Sequence, residues 1–141
     1  MIGNACVFCD LVSGRGEVTW LARRPGAVAF FPLAEGRLSD AHVIVIPDEH
    51  FVGIQDATPE ALQAVVLLVQ EVAQAMGSSI GAHGVNILNA SGEGSDQSVA
   101  HLHMHVVPRW HADGLDTWPT TISGHKLKDD WFAALRASID A

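Results

Sequence analysis

His101-Leu102-His103-Met104-His105-Val106-Val107-Pro108 alternates strictly between imidazole and apolar side chains over its first six residues. A β-strand sends successive side chains to opposite faces. This period of two therefore puts His101, His103 and His105 on one side and Leu102, Met104 and Val106 on the other. The apolar side can meet a core. Three imidazoles in a row are costly to bury without partners, so they point to chemistry rather than packing. Two chemistries use such a row. One is a three-histidine metal centre with an open position for water. The other is nucleophilic catalysis, in which one imidazole attacks while its neighbours fix its tautomer and hold an anion. Spacing alone does not separate them. Immediately upstream, Ser91-Gly92-Glu93-Gly94-Ser95-Asp96-Gln97-Ser98 offers backbone N–H groups, hydroxyls and a carboxamide, the donors a phosphate takes.

Outward from this stretch, Val85 to Leu88 reads as a strand and Asn89 to Gln97 as a loop. Val43-Ile44-Val45-Ile46 is a buried strand stopped by Pro47. Val18 to Leu21 and Ala27 to Phe31 are short β-type runs separated by the turn signal Arg23-Arg24-Pro25-Gly26. Apolar residues recur at helical spacing from Pro59 to Met76. Thr58 suits the cap, Pro59 the first turn and Gly77 the exit. Cys6 to Gly14 reads as a turn entering a short helix, and Lys128 to Ile139 as an amphipathic helix. Together these predict an α+β fold in one domain over residues 1–141, with a mostly antiparallel sheet of about five strands, one long helix and a C-terminal helix. The Cys-containing segment covers 6–14, the histidine strand 101–109, and a tail with the last helix 110–141.

The net charge is −8, with only 8 Lys and Arg residues. That excludes the basic stripe which tracking a nucleic-acid backbone requires, and it argues against an anionic membrane surface. A small phosphorylated ligand remains compatible, because one pocket can supply its donors locally. The N-terminus has no basic segment followed by an apolar run. Ala61 to Val69, broken by Gln63, is short for a bilayer span. The two cysteines, Cys6 and Cys9, favour a reduced compartment and a metal or redox role, so the expected location is cytoplasmic. His83, His111 and His125 lie in polar or glycine-containing segments and read as surface residues. Trp110, Trp118 and Trp131 read as core or dimer contacts.

Gly84-Val85-Asn86-Ile87-Leu88-Asn89, the glycine-bearing loop, Gln97-Ser98-Val99 and His101-Leu102-His103-Met104-His105-Val106-Val107 together resemble the histidine-triad (HIT) signature. His42-Val43-Ile44-Val45-Ile46-Pro47-Asp48-Glu49-His50 is similar to that family's upstream strand. Cys6-x-x-Cys9 resembles the N-terminus of its zinc-bearing bacterial Hint-like branch. The resemblance implies a nucleotide-binding hydrolase that cleaves a nucleoside monophosphate from an amine or similar leaving group. His103 would be the nucleophile that forms a nucleotidyl-histidine intermediate. His105 would bind the phosphate, His42 would support the hydrogen-bond network, Asn89 and Gln97 would contact the phosphate, and Ser98 would meet the leaving group. It also implies a structural zinc held by Cys6, Cys9, His50 and His101, and a homodimer.

Other readings share parts of this pattern. A transferase or phosphorylase, or a dinucleoside polyphosphate hydrolase, would keep the same intermediate. A non-catalytic nucleotide-sensing module would retain only the scaffold, and a three-histidine metalloenzyme would place the metal on His103 and His105. The chain also departs from Hint-like members. Phe30-Phe31-Pro32-Leu33-Ala34-Glu35-Gly36 lacks the aspartate that binds the ribose hydroxyls in those relatives. Ser39-Asp40-Ala41 stands where many have Pro-Gly. Either Glu35 or Asp40 takes over the ribose, or its recognition is weak.

Overall fold

The computed structural model describes residues 5–141. In chain order it contains α1 (Val7–Val12), β1 (Trp20–Arg24), β2 (Ala27–Phe30), a 3-10 turn (Ala34–Gly36), β3 (Val43–Pro47), α2 (Pro59–Ile80), β4 (Gly84–Leu88), β5 (Met104–Arg109) and α3 (Trp131–Asp140). The five strands form one sheet in the order β1-β2-β3-β5-β4, each pair antiparallel. This is the expected α+β architecture.

β1 runs on through Arg23 and Arg24, and the reversal to β2 is made by Pro25-Gly26 alone. Gly26 has φ +90°, and a Cβ there would lie 3.0 Å from the Ala64 side chain on α2, so glycine answers both demands. β2 and β3 are buried along their whole length because both faces of the sheet are covered. One face, with Ala27, Ala29, Val43, Val45, Leu102, Met104 and Val106, packs against Val65, Leu68, Val69, Val72 and Met76 of α2. The other carries Val28, Phe30, Ile44 and Ile46 against Phe8 of α1. The histidines lie on this second side.

α2 begins as expected, with the Thr58 hydroxyl accepting from Ala61 N–H and Pro59 in the first turn. It does not stop at Gly77. The helix continues to Ile80 and closes at Gly81, left-handed at φ +69°, whose N–H donates to the Met76 carbonyl. By length and hydropathy α2 could cross a bilayer, yet its apolar stripe is the sheet's own core. α3 starts at Trp131 rather than Lys128 and has no buried side chain. Before it, Arg109 folds the chain back: its guanidinium reaches Asn86, Asp113, Thr117 and the Leu115 carbonyl, and the arginine beside Asp113 holds that carboxyl well below the usual range.

Leu68 is 1% exposed on the sheet-facing side of α2, and Gln70 is exposed on the helix surface. Leu68→Ala is expected to lower unfolding free energy by about 2–5 kcal/mol through lost burial and a residual cavity. Gln70→Ala should stay within about 0.5 kcal/mol. Urea denaturation of both variants checks the assignment of the core face.

Candidate active site

The histidine segment is only partly ladder. β5 begins at Met104, with Val43 opposite Val106, Ile44 opposite His105, and Leu88 opposite His105 on the other side. Residues 101–103 precede the strand because other bonds replace its rungs there. Pro47 has no N–H to offer; its carbonyl instead takes the His101 ring at 3.1 Å. Leu102 N–H donates to the Phe51 carbonyl at 2.7 Å, and Asn89 Nδ2–H donates to the His103 carbonyl at 2.9 Å. The alternation expected of a strand survives, with Leu102, Met104 and Val106 in the core against α2.

On the opposite side the three imidazoles part ways. His101 turns its Nδ1 toward Cys6 and Cys9, 3.5 Å from each Sγ, and lies 3.2 Å from Nδ1 of His50. His50 Nδ1 is itself 3.2 Å from Cys9 Sγ. These four ligand atoms lie within 4.8 Å of one another. A tetrahedral metal with bonds of about 2.0–2.3 Å sets ligand–ligand edges of roughly 3.3–3.8 Å, close to the separations of His101 from both sulfurs and of His50 from Cys9 and His101. Cys9 N–H donates to Cys6 Sγ at 3.2 Å. Donation of Nε2–H to Pro47 leaves His101 Nδ1 with its lone pair facing the cluster. Without a cation, burial and the neighbouring Cys6 thiol push the Cys9 thiol up to about 11. The residues present therefore fit a metal held by two sulfurs and two nitrogens, a closed site with no vacant position.

His103 and His105 serve a different network. His103 Nδ1–H donates to the His101 carbonyl at 2.8 Å, which leaves Nε2 carrying the lone pair. His42, just before β3, lies diagonal to His105 on the same face, and their Nε2 and Nδ1 atoms are 2.9 Å apart. The Leu38 N–H can only donate, and it points at His42 Nδ1 at 3.0 Å. His42 is therefore protonated on Nε2, donates to His105 Nδ1, and leaves His105 with its proton on Nε2. Burial lowers His42 and His103 below the ordinary imidazole range, with Arg37 adding to the effect at His42 and the His101 carbonyl partly opposing it at His103. Burial, then the neighbouring His103 and His42, brings His105 down to about 4. The pair next to each other thus presents a bare nitrogen and an N–H, both on neutral rings: an attacking lone pair beside a donor for an anionic oxygen.

Residues 33–112 match the HIT domain. This chain belongs to the HIT family. A HIT-like protein of Mycoplasma pneumoniae is 35% identical over 113 residues, 78% of this chain and 75% of that one. A Schizosaccharomyces pombe protein named adenosine 5'-monophosphoramidase hnt1 is 32% identical over 127 residues, 88% of this chain and 91% of its own. The crystal structure of a Zn-bound histidine triad family protein from Mycobacterium smegmatis aligns with a TM-score of 0.74 at 30% identity, covering 84% of each chain.

The other residues of the HIT signature are placed as follows. Besides donating to His103, Asn89 accepts from Ser91 Oγ–H at 2.8 Å. The Gln97 amide is engaged in the loop: its oxygen accepts from Gly92 N–H at 2.8 Å and its Nε2–H donates to the Val52 carbonyl at 2.6 Å. Ser98 is exposed, beside Val99 and Ala100 on a cavity of about 610 Å³ that also borders Cys6, Cys9 and His50. Glu35 and Asp40 are both exposed on the loop before His42. Ala41 adopts φ +62°, a left-handed conformation unusual for a residue with a Cβ, and the turn it makes delivers the Leu38 N–H to His42.

His83, His111 and His125 are exposed, as expected; the first two rings stack at 4.4 Å. Of the two readings of the tryptophans, core or dimer contact, Trp118 and Trp131 do not take the first, and Trp110 is half-buried. Trp118 is 80% exposed and Trp131 about half exposed, because the segment after β5 leaves the sheet and takes no place in the core. Phe8 was not foreseen as part of the site. It stands edge-on to His103 with ring centroids 5.3 Å apart, and its position between the two cysteines was the available signal.

Purified protein is expected to carry about one tightly held divalent metal per chain by elemental mass spectrometry. Cys6→Ser should lose it and melt at lower temperature, because the metal binds the folded chain and not the unfolded one. A metal-free wild type with unchanged melting would remove the metal centre.

Proposed function

We propose that this HIT protein hydrolyses nucleoside monophosphates joined to an amine or similar leaving group, through a nucleotidyl-histidine on His103. The observation that carries this reading is the tautomer of His103: Nδ1–H is tied to the His101 carbonyl, so the free lone pair on Nε2 is the attacking one. In the first step Nε2 bonds to the α-phosphorus and the bond from phosphorus to the leaving nitrogen breaks. The leaving nitrogen takes a proton from solvent water as its bond to phosphorus breaks and departs as the amine, with the Ser98 hydroxyl meeting it, while His103 keeps its Nδ1–H and carries the positive charge of the nucleotidyl-histidine. His105 Nε2–H, held by the Leu38–His42–His105 chain, donates to a phosphoryl oxygen. In the second step water bonds to phosphorus and releases a proton to solvent, the P–Nε2 bond breaks with its electron pair returning to Nε2, and the nucleotide leaves with neutral His103 restored. Asn89 and Gln97 support the same centre by holding the His103 carbonyl and the glycine loop, whose N–H groups are the further phosphate donors in this reading.

Zinc is the metal we assign to Cys6, Cys9, His50 and His101, on the two-sulfur, two-nitrogen donor set and on the Zn-bound relative. We read the chain as one domain, cytoplasmic in keeping with its free thiols, and as a homodimer. Support for the dimer is that β4 is a sheet edge and α3 leaves Trp131, Phe132, Leu135 and Ile139 uncovered.

Rapid mixing with adenosine 5′-phosphoramidate followed by intact-protein mass spectrometry tests the mechanism. The expected result is a transient adenylyl adduct on the wild type with AMP accumulating, and neither with His103→Gly. Full turnover by His103→Gly would end the assignment. The depressed imidazoles also fix the pH dependence. Between pH about 4 and 6.5 the unfolded chain binds more protons than the native one, so stability falls as pH falls through that window. Because His103 and His105 remain neutral below 6.5, kcat/KM should hold as pH drops from 8 to 6.5 and decline only below it. An acid limb centred above 6.5 would contradict the neutral pair.

A further inference from the structure

The metal cluster and the reactive ring meet at one residue. His101 gives Nδ1 to the cluster and its Nε2–H to the Pro47 carbonyl, so both ring nitrogens are held from outside its own segment. Its main-chain carbonyl receives the Nδ1–H of His103 at 2.8 Å. That bond selects which nitrogen of His103 carries the lone pair. A second contact runs in parallel. Phe8 stands edge-on to His103 at 5.3 Å and to His101 at 5.9 Å, and is braced by Phe30 at 5.4 Å. Phe8 lies between Cys6 and Cys9 on α1, a helix of 6 residues in which it is the buried side chain. An isolated helix shorter than about 12 residues does not hold itself, so the position of Phe8 depends on what its neighbours are tied to.

The geometry points to a positioning role for the metal centre: ligation of Cys6, Cys9, His50 and His101 fixes the His101 carbonyl and the Phe8 edge, and through them the tautomer and orientation of the His103 ring. This rests on His103 as the nucleophile. A closed four-ligand site would otherwise contribute only folding energy. Here the ligand His101 and the intervening Phe8 are positioning residues; neither meets the phosphorus. A misplacement of the attacking atom on the order of 1 Å is enough to depress turnover strongly, so a structural ion at this place governs rate without entering the reaction.

His50→Asn tests the link, because His50 is an exposed ligand that contacts neither the His101 carbonyl nor Phe8 through the bonds described above. The expected result is a folded protein with reduced zinc content. Its His103 imidazole 15N signals should change from a single Nδ1–H tautomer to a mixture. The kcat for adenosine 5′-phosphoramidate should fall about tenfold with KM little changed. His50→Cys, which keeps a zinc-binding side chain, should restore zinc, signals and kcat together. Unchanged His103 signals in the zinc-depleted, folded variant would overturn the proposal whatever the turnover. If His50→Asn fails to fold, chelator titration of the wild type, followed by the same signals before unfolding begins, reads the same link. Phe8→Leu keeps all four ligands. It should retain zinc yet lower kcat and perturb the His103 signals, and no change in either would overturn the Phe8 arm. A wild type that forms no adduct on His103 would sink the hydrolase reading, while the imidazole signals would still decide whether the metal orders the ring.

Discussion

Burying an imidazole obliges the fold to say what each of its nitrogens does. His42, His101 and His103 are almost fully buried and His105 is half-buried, on a sheet with both faces covered. Water is not at hand to satisfy them. Backbone groups with no choice of role therefore decide the outcome: the Leu38 N–H must donate, and the carbonyls of His101 and Pro47 must accept. From those three fixed points the protons on all four rings follow. The same burial that makes partners compulsory also keeps the rings neutral, and a neutral ring of known tautomer is what phosphoryl chemistry asks of a nucleophile.

The rest of the site is arranged to keep those fixed points in register. Pro47 ends β3 at the place where its carbonyl meets His101, and Asn89 at the end of β4 catches the His103 carbonyl where the ladder has run out. Gly53 lets the loop after β3 pass close to Ser91, where a Cβ would lie 2.7 Å from the serine's own, and Ile54 N–H donates to Ser91 Oγ at 2.9 Å. Two loops far apart in sequence are thereby joined beneath the glycine-rich segment.

Much of this was legible before any coordinate. The period of two at Leu102, Met104 and Val106, the capped start of α2 and the apolar run of β3 are local patterns with one physical solution, and the fold obeys them. The grouping of Cys6, Cys9, His50 and His101 was legible only through resemblance, since no spacing rule joins residues so far apart. What escaped depends on non-local contacts. Gly77 looked like a helix exit, but the helix carries on for one more turn before Gly81 offers a better left-handed close. The start of β5 moved because Pro47 lacks an N–H, which is a property of its neighbour strand and not of the histidines. Trp118 and Trp131 read as core or dimer contacts by type, and the core is not where they lie, since the Arg109 network folds residues 113–117 back along β4 and sends the remainder outward. Phe8 was hidden by its setting, because a cysteine pair draws attention to sulfur and not to the residue between.

The cluster of Cys6, Cys9, His50 and His101 also has a topological meaning. Cys9 and His50 are 41 residues apart, His50 and His101 are 51 apart, and Cys6 and His101 are 95 apart. A bound ion is thus a non-covalent knot that closes two long loops at once, and cross-links of that span act chiefly by restricting the unfolded chain. The two cysteines can capture an ion while the chain is still open, since they are local. His50 and His101 can join only after β3 and β5 have paired and the segment leading into β5 has settled beside Pro47. A complete coordination shell therefore requires the register in which β3 and β5 are paired, with His50 and His101 3.2 Å apart.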